Sequence, residues 1–226
     1  MQNIITTLRM RGFIDAITND ELETLLDKPV TLYVGFDPTA DSLHIGNLVG
    51  IMALAWFQKL GHRAIAIVGG ATGMVGDPSG KSVERNLLDH ETIEHNLVGI
   101  RKSIVTILGR DAVVLNNYDW FKNYNFVEFL RDIGKHFRMG PMLSKESVKV
   151  RLESEAGLSF TEFSYQLLQA YDFLYLYDHY GVTLQVGGSD QWGNIVAGTE
   201  LVRRMRGVNV YGLTTPLITR SDGKKF

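Results

Sequence analysis

No cysteine occurs in the 226 residues, which excludes disulfides, thiolate metal sites and a cysteine nucleophile and fits a reducing compartment. An excess of basic charge is missing as well: 23 Lys and Arg stand against 25 Asp and Glu. No chain-wide field draws nucleic acid, so any RNA contact must be local. The longest apolar run, Leu48 to Phe57, is too short to span a bilayer. Arg9, Arg11 and Asp15 interrupt the N-terminal apolar residues, where a signal peptide needs an unbroken core. Proline is scarce, and no Pro/Ser-rich linker, internal repeat or low-complexity tract divides the chain. His62, His90, His95, His136 and His179 have no metal-ligand spacing. These absences leave one large cytoplasmic domain with no membrane segment.

What is present alternates. Strand-like segments fall near Val30–Gly35, Arg63–Val68, Ala112–Leu115, Val182–Val186 and Tyr211–Ile218. Helical patterns lie between them at Ile45–Leu60, Thr92–Leu108, Phe126–Phe137, Thr161–Tyr180 and Gln191–Arg206. This order predicts an α/β fold: a Rossmann-like parallel sheet with helices on both faces and ligands at the carboxyl ends of its strands. Met139–Leu158 breaks the alternation, which suggests a helical insertion spanning about 119–160. Ser159 followed by Glu162 is a capping-box signature for the long helix.

Five places carry candidate chemistry. Thr39, His44, Gly46 and Asn47 gather where the first strand hands over to a helix, where unpaired amides and the positive helix end suit phosphate. The plainer reading is that His44 only caps the helix. The second strand runs into Gly69–Lys81, whose glycines let backbone approach a ligand. Gly80-Lys81-Ser82 resembles the end of a P-loop, but the first glycine of that motif would fall at Val75. Lys81 and Arg85, four apart, either close over phosphates or belong to an ordinary solvated loop. Tyr165, Gln169 and Asp172 share one helix face; such a stripe is either solvated or recognises an amino acid bearing a hydroxyl. Gly187, Gly188 and Asp190 end the fourth strand, where Asp190 either accepts from ribose hydroxyls or caps a helix. Lys224 and Lys225 close the sequence in a phosphate-facing loop or a solvated tail.

Six ordered motifs together resemble the tyrosyl-tRNA synthetases, a family of class I aminoacyl-tRNA synthetases. They are Tyr33-Val-Gly-Phe-Asp-Pro-Thr39, His44-Ile-Gly-Asn47, Gly69 through Lys81, Asn117-Tyr-Asp-Trp120, Tyr165 through Asp172, and Gly187-Gly-Ser-Asp-Gln-Trp-Gly-Asn194. The resemblance implies that Tyr33 and Asp172 hold a substrate phenol. It places Tyr165, Gln169 and Asp77 at the α-ammonium with Asn117 nearby, and Gln191 near the reacting carboxylate. Gly35, Asp37, Gly46, Gly188 and Asp190 would surround the adenylate; Thr39, His44, Asn47, Lys81, Arg85 and Lys225 would serve ATP and its phosphates. It further implies L-tyrosine, ATP with Mg²⁺ and tRNA(Tyr) as substrates, and a homodimer built on the apolar insertion.

Two positions depart from the family pattern. Asn47 stands where the family often has histidine, and an amide still donates to phosphate. The second signature normally continues past Phe226, and a helical anticodon-recognising domain and an RNA-binding module are expected beyond it. The sequence is therefore expected to be a catalytic-domain fragment with impaired activity. The rival readings are a tryptophanyl-tRNA synthetase, a nucleotidylyltransferase and a catalytically silent RNA-binding or scaffold fragment.

Overall fold

The structure, a computed structural model, describes residues 3–79, 88–155 and 157–221. In chain order the elements are α1 (Ile4–Met10), β1 (Ala16–Ile17), α2 (Glu21–Leu25), β2 (Thr31–Phe36), α3 (Ile45–Lys59), β3 (Arg63–Val68), α4 (Thr72–Val75) and α5 (His90–Leu108). They continue with β4 (Val113–Asn116), α6 (Tyr118–Phe121), α7 (Phe126–Asp132), α8 (Met139–Leu143), α9 (Glu146–Leu152), α10 (Phe160–Tyr180), β5 (Val182–Gly188), α11 (Trp192–Arg206) and β6 (Tyr211–Thr215). The sheet order is β1-β6-β5-β2-β3-β4. All pairs are parallel except β1 with β6. That two-residue antiparallel edge was not expected, because two residues carry no readable period.

Alternation along the strands puts a core on each face. From β2, Leu32, Val34 and Phe36 pack with α1, α3 and α5, whereas Tyr33 packs with α10 and α11. β3 divides likewise, with Ala66 and Val68 on the first face and Ile65 and Ile67 on the second. β5 carries an irregularity. Thr31 of β2 pairs with Val182, but Leu32 pairs with Leu184, so Thr183 is skipped. Val182 therefore joins the α10 face while Leu184 and Val186 join the α3 face, although they are two residues apart. The same shift brings Gln185 alongside Tyr33.

The chain runs outward from β2 through β3 to β4, then returns to lay β5 and β6 on the other side of β2. Strand order thus reverses between β2 and β5, and a crevice opens beyond their carboxyl ends.

Several boundaries move from expectation. α7 ends at Asp132 and a 3₁₀ turn covers Gly134–His136, because Gly134 follows two residues on. β6 stops at Thr215, before Pro216, which has no N–H for a ladder. Ser159 caps α10 by accepting from the Glu162 N–H at 3.2 Å, but the Glu162 carboxylate is engaged by Arg151 at 3.0 and 2.6 Å instead of turning back to the cap. The apolar stretch of the insertion divides: Phe129, Ile133 and Met142 are buried, whereas Phe126, Val127, Met139, Leu143 and Phe160 are exposed. No helix among the described residues is long and apolar enough to cross a membrane.

Candidate active site

The crevice between β2 and β5 holds a cleft of about 260 Å³. Every site residue read from the sequence that the structure describes lines it, from Tyr33, Gly35, Asp37, Thr39 and His44 through Asn117 and the α10 stripe to Gly188, Asp190 and Gln191. Lys81, Arg85 and Lys225 lie outside the described residues.

At one end, α10 directs Asp172 inwards. Its carboxyl accepts from Trp120 Nε1 at 2.9 Å and from Asn117 Nδ2 at 3.1 Å. Burial pushes Asp172 up to about 8 against the pull of these two donors, and Asp37 adds a smaller push upwards. Tyr33 reaches the same place from β2. Burial holds its phenol well above the ordinary tyrosine value, with Asp172 adding to the effect, and its hydroxyl has no hydrogen-bond partner. A buried hydroxyl without a partner is costly, and here it faces a cleft wide enough for a ligand.

Asn117 is the hinge of this region. It is fully buried, accepts from the Ala71 N–H at 2.8 Å, and donates to Thr72 Oγ1 at 3.0 Å as well as to Asp172. Thr72 in turn donates to Asp37 Oδ1 at 2.7 Å. Tyr165 donates to Asp37 Oδ2 at 2.7 Å, so two residues assigned to different parts of a substrate are bonded to each other. Gly69 is required here, since a Cβ would overlap both Asp37 Oδ1 and Thr72 Oγ1.

Asp77 anchors the opposite wall. Gln191 Nε2 donates to its Oδ2 at 2.6 Å, the Ser79 N–H donates to Oδ1 at 2.9 Å, and Asn194 bridges Ser79 and Gln191. At the mouth, His44 and Asn47 do cap α3. His44 Nδ1 accepts from the Gly46 N–H at 3.0 Å, and Asn47 Oδ1 accepts from the His44 N–H at 3.2 Å. Capping does not oppose a phosphate role: with Nδ1 accepting, the imidazole proton sits on Nε2, and Asn47 keeps both amide protons for donation.

Sequence reasoning missed four residues. Thr72 and Trp120 lie inside quoted motifs, but their partners are distant in sequence. Gln185 is buried and lines the cleft with its Oε1 unpartnered; its aim depends on the shift in β5. Lys145 of the insertion donates to the Gly193 carbonyl at 2.6 Å. Burial lowers its ammonium to about 8, with Asp77 pulling the other way.

A family model described as tRNA synthetases class I (W and Y) matches residues 25–226. The chain belongs to this family. Among class I synthetases of this group, the chain is 60% identical over 231 aligned positions to the tyrosine–tRNA ligase of Protochlamydia amoebophila (strain UWE25), aligning 100% of the chain with 54% of that protein. The chloroplastic/mitochondrial tyrosine–tRNA ligase of Arabidopsis thaliana is 52% identical, with 99% and 46% of the two chains aligned. This class I synthetase chain thus spans about half the length of the curated relatives it matches. A C-terminally truncated mitochondrial tyrosyl-tRNA synthetase of Coccidioides posadasii superposes with a TM-score of 0.85 at 32% identity, over 100% of this chain and 70% of that one.

Proposed function

We propose that this domain activates L-tyrosine with ATP, forming tyrosyl-adenylate and pyrophosphate, and passes the tyrosyl group to the 3′ end of tRNA(Tyr). The observation that carries the reading is that the unpartnered Tyr33 hydroxyl and the Asp172 carboxyl both lie at the buried end of the cleft. A phenol both donates and accepts, which suits one carboxyl and one unpartnered hydroxyl. An indole N–H only donates and would leave Tyr33 with no acceptor to satisfy. The names of the relatives point the same way.

In this reading the substrate carboxylate attacks the α-phosphorus in line, and no proton needs removing from it. The protein positions the two reactants and stabilises charge developing on pyrophosphate. Tyr165, Gln169 and Asp77 take the ammonium, Gln191 lies near the carboxylate, and Gly188 and Asp190 face the ribose. Thr39, His44 and Asn47 take phosphates, joined by Lys81, Arg85 and Lys225. Mg²⁺ enters as part of the ATP substrate; among the described residues no group of three His, Asp or Glu forms a cation cage. A cytoplasmic location belongs to the same reading. Isothermal calorimetry should show L-tyrosine binding with L-tryptophan unable to displace it, alongside tyrosine-dependent ATP–pyrophosphate exchange. Equal competition by tryptophan would move the assignment to the other half of the family.

A homodimer is part of the proposal. Phe126, Val127, Met139, Leu143 and Phe160 are exposed apolar side chains from the insertion and the start of α10, and joined across two copies they would leave water as an interface does. Sedimentation equilibrium at micromolar concentration should give twice the chain mass, with Phe160→Asp shifting it to monomer. A parent monomeric at every concentration would remove the interface.

A further inference from the structure

The loop joining β2 to α3 presents two sides. Thr39 and His44 line the cleft. Two backbone carbonyls of the same loop face α5, none of whose residues lines the cleft. Asn96 of α5, itself buried, donates from Nδ2 to the Pro38 carbonyl at 3.0 Å. Gly99 lies three residues on and shares that helix face. A Cβ added to Gly99 would overlap the Asp41 carbonyl oxygen and stand 2.9 Å from the Asp41 carbonyl carbon. The obstacle is backbone, so no side chain can rotate out of the way.

The loop is held from α4 too, where a Cβ on Gly73 would come within 2.9 Å of Pro38 Cδ. Pro38 has a fixed φ, and the Thr39 N–H closes onto the Asp37 carbonyl at 2.9 Å. Residues 37–39 therefore move as one stiff turn. A push on Asp41 or a release of Pro38 is transmitted to Thr39 on one side and His44 on the other.

We propose that Asn96 and Gly99 are positioning residues for ATP: α5 sets the height of the phosphate-binding loop without touching the nucleotide. The proposal rests on the reading of the cleft given above. The phenol end of the cleft is built on α10, β2, β5 and Asn117, and the turn reaches the tyrosine side through Asp37, which accepts from Tyr165 and Thr72, so the effect should fall chiefly on ATP.

The test uses the intact protein and titrates two ligands separately by calorimetry, L-tyrosine and a non-hydrolysable ATP analogue with Mg²⁺. Gly99→Ala should weaken analogue binding by about 10- to 100-fold, the scale expected for a misplacement of roughly 1 Å, with a clearly smaller loss of tyrosine affinity. Asn96→Ala adds no bulk and should act in the same direction by several-fold, so it decides the matter should Gly99→Ala fail to fold. Thr106→Ala, on the exposed side of α5, should alter neither affinity. In exchange assays the folded variants should raise KM for ATP more than KM for tyrosine. Unchanged analogue affinity in both variants, or an equal loss of tyrosine affinity, overturns the proposal. A parent that binds both ligands yet performs no tyrosine-dependent exchange would count against the proposed function, and the analogue titration would still judge the loop.

Discussion

Replacing Asp172 by alanine is expected to weaken L-tyrosine binding roughly 10- to 150-fold, the range for losing a hydrogen bond to a charged or ionisable group. Phenylalanine binding should hardly change. Asp172 is 4% exposed and ringed by donors, so a ligand hydroxyl finds no water to replace it. Competition calorimetry with the two amino acids measures the ratio; a preference preserved in the variant would take Asp172 out of recognition. The same carboxyl affects stability with pH. Burial raises it to about 8, so the folded chain holds that proton more tightly than the unfolded chain does. Its stabilising contribution is complete below about pH 4, the ordinary aspartate range, and is lost as pH rises through 8. Thermal midpoints of the parent should therefore fall relative to Asp172→Asn between those limits.

Arg151→Ala is expected to cost about 3–5 kcal/mol of folding stability, the scale for stranding one partner of a buried ion pair. Arg151 and Glu162 are each 1% exposed. Two guanidinium nitrogens meet the two carboxylate oxygens at 3.0 and 2.6 Å, while Nε and Nη2 also donate to the Gly157 carbonyl at 3.2 and 3.0 Å. Removing the arginine leaves Glu162 dry and unpaired at the first turn of α10, the helix that carries Tyr165, Gln169 and Asp172. Urea denaturation gives the size of the loss. The double variant Arg151→Met with Glu162→Leu should recover most of it, since two apolar groups leave no charge to strand. A double variant as unstable as the single one would show that the loss came from packing.

Sequence pattern carried α3, α5, α10 and α11 and the five parallel strands because their periods are long enough to read, whereas α1, α2, α4, α6, α8 and α9 are too short to show one. The α10 stripe was legible for the same reason: Tyr165, Gln169 and Asp172 share a face whatever the surroundings. Asp37, Asn117 and Asp77 were placed by motif resemblance, and their bonding was not readable, since Gln191 meets Asp77 across 114 residues and Tyr165 meets Asp37 across 128. The capping box at Ser159 was half right, because a tertiary partner 11 residues away took the glutamate. Lys145 left no signal, since a lysine in a polar turn looks solvated until α11 covers it. In the insertion, the apolar residues of α7 and α8 gave no clue which side faces inward, as short helices of 7 and 5 residues barely define a stripe.

The skipped residue in β5 constrains how this chain can change length. An in-frame loss of Thr183 would restore unbroken alternation across the strand. Val182 and Leu184 would become sequence neighbours, as their opposite faces already require, so Gln185 would keep its place in the cleft and Val182 its place in the core. A one-codon deletion at Val186, by contrast, would either draw Leu184 into the cleft and Gln185 out of it or exchange the faces of the residues that follow, and so would act as several simultaneous substitutions. Insertions and deletions among relatives of this chain should therefore gather in the connections around the sheet and, within the seven residues of β5, fall at Thr183 alone.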